Sequence, residues 1–288
     1  MPCNNPSVGD DVSRKGNSLG TLAFRDTLPL PGGGMVSAYL NITEDNIMDK
    51  QFLSAHYDRF CCTNIELIHG DIRGIILYFN GLGHIVNPGP DMIDAPAAAA
   101  RNILYITPCY NPWSWMNRDT VAFCDMLVEI AMEKWSIPTD APVGLYGGSM
   151  GGYSVFHFAM QSKHNIVAGD LNCPCCNLEY EVLCNKNSIL HTLFEATMGY
   201  CDDFTAFLHD NSPVNMVGRL KRIPYRFAVG MQDGVLAPSQ HSMKLIPLLR
   251  EAGYTVDVAE YPHAGHCNIG AEARAAEHAW LMDRMFED

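Results

Sequence analysis

The chain has 288 residues, of which 48% are hydrophobic and 18% charged, enough apolar material for a large buried core and too much for a disordered or low-complexity polymer. Nineteen Lys and Arg against 32 Asp and Glu leave a formal charge of −13, which repels phosphate backbones and anionic lipid, so neither nucleic acid nor a membrane surface is expected as a partner. No apolar run reaches the roughly 18 residues of a spanning helix, and the start Met1-Pro2-Cys3-Asn4 carries no basic and apolar leader, so a soluble, cytoplasmic protein is expected.

In chain order, Leu22 to Leu30 and Met35 to Ile42 flank Pro31-Gly32-Gly33-Gly34 and predict an antiparallel hairpin. In a cytoplasmic chain the sequon Asn41-Ile42-Thr43 has no consequence. From about residue 72 short β-branched runs alternate with longer amphipathic stretches, the pattern of β-α-β units on a mostly parallel sheet. Six strands are expected: Ile75 to Phe79, Ile103 to Thr107, Val143 to Tyr146, Ile166 to Leu171, Tyr225 to Val229 and Thr255 to Glu260.

Helices are expected at Arg118 to Trp135, capped by Asn117 or Asp119, and at Ser239 to Ala252, closed by Gly253 and kinked or shortened by Pro247. A third places Ile269, Ala273, Ala276 and Trp280 on one face. Residues 172–215 are poor in strand signal and form one cap-like insertion, within a single domain of residues 1–288. The 11 cysteines, an odd number, argue against a disulfide framework. Cys173-Pro174-Cys175-Cys176 contains a C-x-x-C spacing, but zinc would want a second pair and Cys184 and Cys201 stand far off; loop packing is the expectation, with no metal and no cofactor.

Chemistry concentrates at three strand ends. Gly147-Gly148-Ser149-Met150-Gly151-Gly152 lies between the strand Val143 to Tyr146 and the helical pattern Tyr153, Phe156, Met160. A serine on such a turn is held in a strained backbone conformation, and glycines two residues away let strand and helix approach. A serine hydroxyl needs a base, and the base an acid to orient it. Gly230-Met231-Gln232-Asp233-Gly234 follows one downstream strand and Tyr261-Pro262-His263-Ala264-Gly265-His266 the next.

Ser149 in G-x-S-x-G, Asp233 in a G-x-x-D loop and His266 in a Gly-His ending resemble the α/β-hydrolase superfamily over roughly residues 72–288. Within it the run from Ser212-Pro213 through Ile223-Pro224, Asp233 and Pro238 to Gly265-His266 looks most like prolyl-oligopeptidase-like (S9-type) catalytic domains and related single-domain esterases. The resemblance implies an α/β-hydrolase fold with helices on both faces of the sheet, Ser149 as nucleophile, His266 as base with His263 as competitor, and Asp233 as acid with Asp170 as substitute. Asp257 faces away from the expected loop, and His157 stands near the site on a helix face.

The oxyanion donors are expected to be the N–H groups of Met150 and Leu82, with Gly83 as near alternative. Here Asn80-Gly81 departs from the family's His-Gly pair. Trp113 and Trp115 wall an acyl pocket or serve as core, and Leu178, Tyr180, Leu193, Phe194, Phe204 and Phe207 are candidates to line the entrance. The expected activity is hydrolysis of carboxylic esters through an acyl-enzyme, with a serine peptidase on the same residues as alternative. No propeller-sized segment precedes the motifs in these 288 residues, which weighs toward the ester. The partner is then a small ester or short peptide, and the oligomeric state, a homo-oligomer included, stays open.

Overall fold

The computed structural model describes residues 27–29, 35–37, 49–84, 94–185 and 189–287. Its contacts divide the chain into two units, Met1–Asp49 and Lys50–Asp288. In the first, β1 (Thr27–Pro29) pairs antiparallel with β2 (Met35–Ser37), Leu28 opposite Val36. The predicted hairpin is present there, and its outer residues, with the sequon, lie outside the described ones.

The second unit opens with α1 (Lys50–Ala55) and α2 (Tyr57–Phe60), then β3 (Cys61–Thr63) and β4 (Gly74–Phe79). There follow α3 (Ala95–Ala100), β5 (Ile103–Pro108), α4 (Arg118–Lys134), β6 (Val143–Gly148), α5 (Met150–Gln161) and β7 (Ile166–Asn172). Three helices come next: α6 (Leu178–Leu183), α7 (Ile189–Thr197) and α8 (Phe204–Asp210). The chain closes with β8 (Tyr225–Gly230), α9 (Ser242–Glu251), β9 (Val256–Tyr261) and α10 (Ala271–Arg284).

Seven strands form one sheet in the order β3-β5-β4-β6-β7-β8-β9. All six predicted strands lie in it, parallel to one another. The seventh, β3, runs antiparallel to β5, with Cys62 opposite Thr107. Three residues between two short helices carry no period that sequence reading can detect, so this antiparallel edge went unpredicted and the hairpin upstream stood in its place.

Asn117 caps α4 by accepting the Thr120 N–H at 3.0 Å. Pro247 lies inside α9, which starts at Ser242, later than the pattern suggested. On one sheet face α5 packs Phe158 against Phe79 and Phe156 against Tyr225 and Phe227. On the other, α3 and α10 bury Ala98, Leu281, Met282 and Met285 against Ile76, Tyr105, Tyr146 and Ala168. A sheet covered on both faces demands the continuous apolar strands that the sequence shows.

The 172–215 insertion folds as α6, α7 and α8 and docks on the start of α5. Leu178, Leu193 and Leu208 share a core with Met150, Tyr153 and Trp115. The indole N–H of Trp115 donates to Thr192 Oγ1 of α7 at 3.1 Å. Leu178 and Leu193 are thus fully buried core residues and do not line an entrance.

Candidate active site

The strand order reverses at β4: the chain adds β5 on one side and then β6 on the other. Loops leaving the carboxyl ends of β4 and β6 therefore diverge and open a crevice, the usual ligand position in such sheets. Residues 80–84 and Ser149 sit at that point.

Ser149 joins β6 to α5 with φ 58° and ψ −122°, a conformation that L residues rarely adopt. Close approach explains the flanking glycines. A Cβ on Gly147 would lie 2.3 Å from Gly151 O, and one on Gly151 would lie 2.1 Å from Phe79 O. With both bare, β4 and α5 touch and the Ser149 hydroxyl stands clear of the sheet.

Ser149 Oγ lies 2.9 Å from His266 Nε2. His266 Nδ1 lies 2.7 Å from Asp233 Oδ2, which follows β8. The other carboxylate oxygen accepts the Val235 and Leu236 N–H groups at 2.8 and 2.9 Å. Burial alone would raise the Asp233 pKa, but the His266 ring and these backbone donors outweigh it and hold it below 3.8. Burial would likewise lower that of His266, yet the hydrogen bond and charge of Asp233 bring it above 6.5.

The residues considered beside these lie elsewhere. His263 is exposed. Asp170 is wholly buried within β7; among the described residues neither carboxyl oxygen has a hydrogen-bond partner, and burial raises its pKa well above the ordinary carboxylate value. Asp257 accepts the Trp280 indole N–H at 2.7 Å. His157 stacks on Tyr153 and bonds Asn211 O at 3.2 Å, and burial brings its pKa down to about 4.

Met150 is the first residue of α5, so its N–H has no acceptor within the helix. In the 80–84 loop the Gly83 N–H donates to Pro112 O at 3.1 Å, Asn80 N–H to Tyr110 Oη at 3.0 Å and His84 N–H to Gly81 O at 3.1 Å. Among the described residues the Leu82 N–H has no acceptor, and a Cβ on the adjoining Gly81 would lie 3.7 Å from Ser149 Cβ. The engaged N–H of Gly83 removes it as a donor. Trp113 is exposed, whereas Trp115, buried at the insertion, is core.

Two cysteines neighbour the histidine: Cys267, which sequence reading missed, and Cys173, which it assigned to loop packing. Cys267, directly after His266, has its Sγ 3.9 Å from His266 Nε2 and 3.3 Å from Asn172 O. Cys173, directly after β7, accepts the Gly230 N–H on its Sγ at 3.4 Å. The neighbouring Cys267 thiol and the Gly230 N–H bring the Cys173 pKa down from the usual thiol value, against the effect of burial. Both have positive φ, 46° and 54°. For Cys267 the signal available was adjacency to the histidine, and for Cys173 the C-x-x-C spacing and a strand end.

No protein-family model matches the chain, and no curated protein matches it in sequence. Solved structures do match. A puromycin-hydrolyzing peptidase of Mycobacterium tuberculosis superposes with TM-score 0.60 at 19% identity over 76% of this chain and 36% of its own. The acylaminoacyl peptidase of Pyrococcus horikoshii gives 0.60 at 14% identity over 77% and 39%. Esterase B of Lactobacillus rhamnosis gives 0.57 at 15% identity over 76% of both chains. This chain spans well under half the length of the two peptidases. The fold is that of the α/β-hydrolases, as expected from the motifs.

Proposed function

We propose that the protein is a serine hydrolase that cleaves carboxylic esters through an acyl-enzyme on Ser149. The observation that carries this is the unbroken chain from Ser149 Oγ through both nitrogens of His266 to Asp233. His266 Nε2 takes the hydroxyl proton as Oγ attacks the carbonyl carbon, and returns it to the leaving alkoxide. Water, deprotonated by the same nitrogen, then attacks the acyl-enzyme and releases the acid. The N–H groups of Met150 and Leu82 stabilise the oxyanion in both steps. Asp233 fixes the ring so that Nδ1 carries the proton and Nε2 the lone pair. This chemistry draws on protein groups alone, and the substrate is a small molecule.

The ester reading is supported by the extent of similarity to esterase B, 76% of that chain against 36% and 39% of the peptidases. Hydrolysis of short peptides is the second reading, favoured by the peptidases among the similar structures. A cytoplasmic setting is supported by the ten described cysteines, all free thiols. Among the described residues no helix is long and apolar enough to cross a membrane.

The test is Ser149→Ala against a short-chain nitrophenyl ester and an aminoacyl arylamide. Turnover is expected to fall by at least about four orders of magnitude, with fluorophosphonate labelling lost and the melting temperature nearly unchanged. Substantial residual turnover would refute the assignment, and faster wild-type cleavage of the arylamide would select the peptidase.

A further inference from the structure

We propose that Cys173, Cys267 and His266 form a binding site for a soft divalent metal ion, zinc or cadmium, and that filling it silences Ser149. One ligand atom from each of the three lies within 4.8 Å of the others. In a tetrahedral shell with metal–sulfur bonds of about 2.3 Å and metal–nitrogen bonds of about 2.0 Å, neighbouring ligand atoms stand about 3.5 to 3.8 Å apart. Cys267 Sγ and His266 Nε2, at 3.9 Å, stand within about 0.4 Å of that spacing. The rest of the site must close by about 1.3 Å at most.

Two thiolates and an imidazole select a soft or borderline ion over magnesium or calcium. The site is also held in place. The Cys173 N–H donates to Ala228 O at 2.9 Å, its sulfur accepts from Gly230, and the Cys267 sulfur rests on Asn172 O. Asp233 on Nδ1 completes the carboxylate–histidine arrangement that orients imidazole ligands at metal centres. The C-x-x-C spacing plays no part: Cys176 Sγ turns to Pro174 O at 3.4 Å, and the partner of Cys173 comes from beyond β9.

Binding converts two thiols to thiolates, releases their two protons to solvent and takes the Nε2 lone pair of neutral His266. A fourth position is left for water. Nε2 has one lone pair, the one that accepts the Ser149 proton, so metal binding and activation of Ser149 exclude each other. The silencing rests on the function proposed above; the binding does not.

The test uses the purified full chain, kept reduced with a non-chelating phosphine, and titrates zinc by calorimetry and cobalt(II) by absorption. One ion per chain is expected, with a thiolate-to-cobalt charge-transfer band and intense d–d bands of tetrahedral cobalt. Cys267→Ala and Cys173→Ser should each weaken zinc binding at least tenfold, and Ser149→Ala should leave it intact. Zinc should slow fluorophosphonate labelling of the wild type, a chelator should restore it, and labelling of Cys267→Ala should ignore zinc.

Wild-type zinc affinity in either cysteine variant, or bound cobalt without thiolate bands, would overturn the proposal. Should metal-free protein fail to label at all, the hydrolase reading falls, while calorimetry and the cobalt spectrum still decide the metal site.

Discussion

Two buried carboxyls, Asp233 and Asp170, show how position rather than residue type divides roles. Asp233, in the loop after β8, meets His266, which helps to hold its pKa down; Asp170, mid-strand, has its pKa pushed up by burial. Asp233→Asn should lower turnover about 10⁴-fold. It should also move the acid limb of kcat/KM from above pH 6.5 to below it, because burial alone lowers the His266 pKa once the carboxylate is gone. Asp170→Asn should leave turnover unchanged. Its effect on stability has a definite sign: the folded-state pKa of Asp170 is above the unfolded 3.8, so the folded chain holds the extra proton and stability declines as pH rises past 3.8. Asparagine has no proton to lose, so denaturant midpoints of the variant should exceed those of the wild type at pH 8. Ser149, Asp233 and His266 were legible from the motifs around them, although Ser149 and His266 stand 117 residues apart. Cys267 was not, because it lacks a motif, and Cys173 was visible only within a C-x-x-C spacing; the fold alone brings their strand ends together. Trp113 and Trp115 were ambiguous for a related reason: an aromatic at a strand end reads alike as wall or core, and only the docking of α7 decides for Trp115.

Polar contacts tie the elements that position the site to one another, and one buried group of them joins α10 to β8 and β9. Glu277 of α10, 1% exposed, takes two hydrogen bonds from Arg226 of β8, with Nη2 at 3.1 Å, and one from Tyr261 at the end of β9. Arg226→Met leaves a buried, unpaired carboxylate and should cost about 3 to 5 kcal/mol in urea denaturation. Replacing Glu277 by Leu in the same chain should recover most of that, since the charge is then removed altogether. Six strands and the helices α4, α9 and α10 were legible because each carries its apolar pattern over several turns or pleats. The insertion was legible only as short helical pieces without bounds, and the three-residue β3 not at all, as they gain their order from burial against α5 and β5 and carry little period of their own.

At the scale of the whole molecule, all seven strands of the large sheet and every residue assigned a chemical role fall within Lys50–Asp288. A chain of residues 50–288 is therefore expected to fold and to label with a fluorophosphonate at the rate of the full chain; loss of cooperative unfolding in circular dichroism would contradict this. The two margins of the sheet carry a different message. One margin is β3, three residues long; the other is β9, whose Asp257 and Glu260 place carboxylates along the last strand of a molecule already at −13. Brevity at one side and like charge at the other both disfavour strand addition from a second molecule. The same geometry that opens a cleft between β4 and β6 thus leaves its outer borders guarded against fibril growth and self-association through backbone pairing.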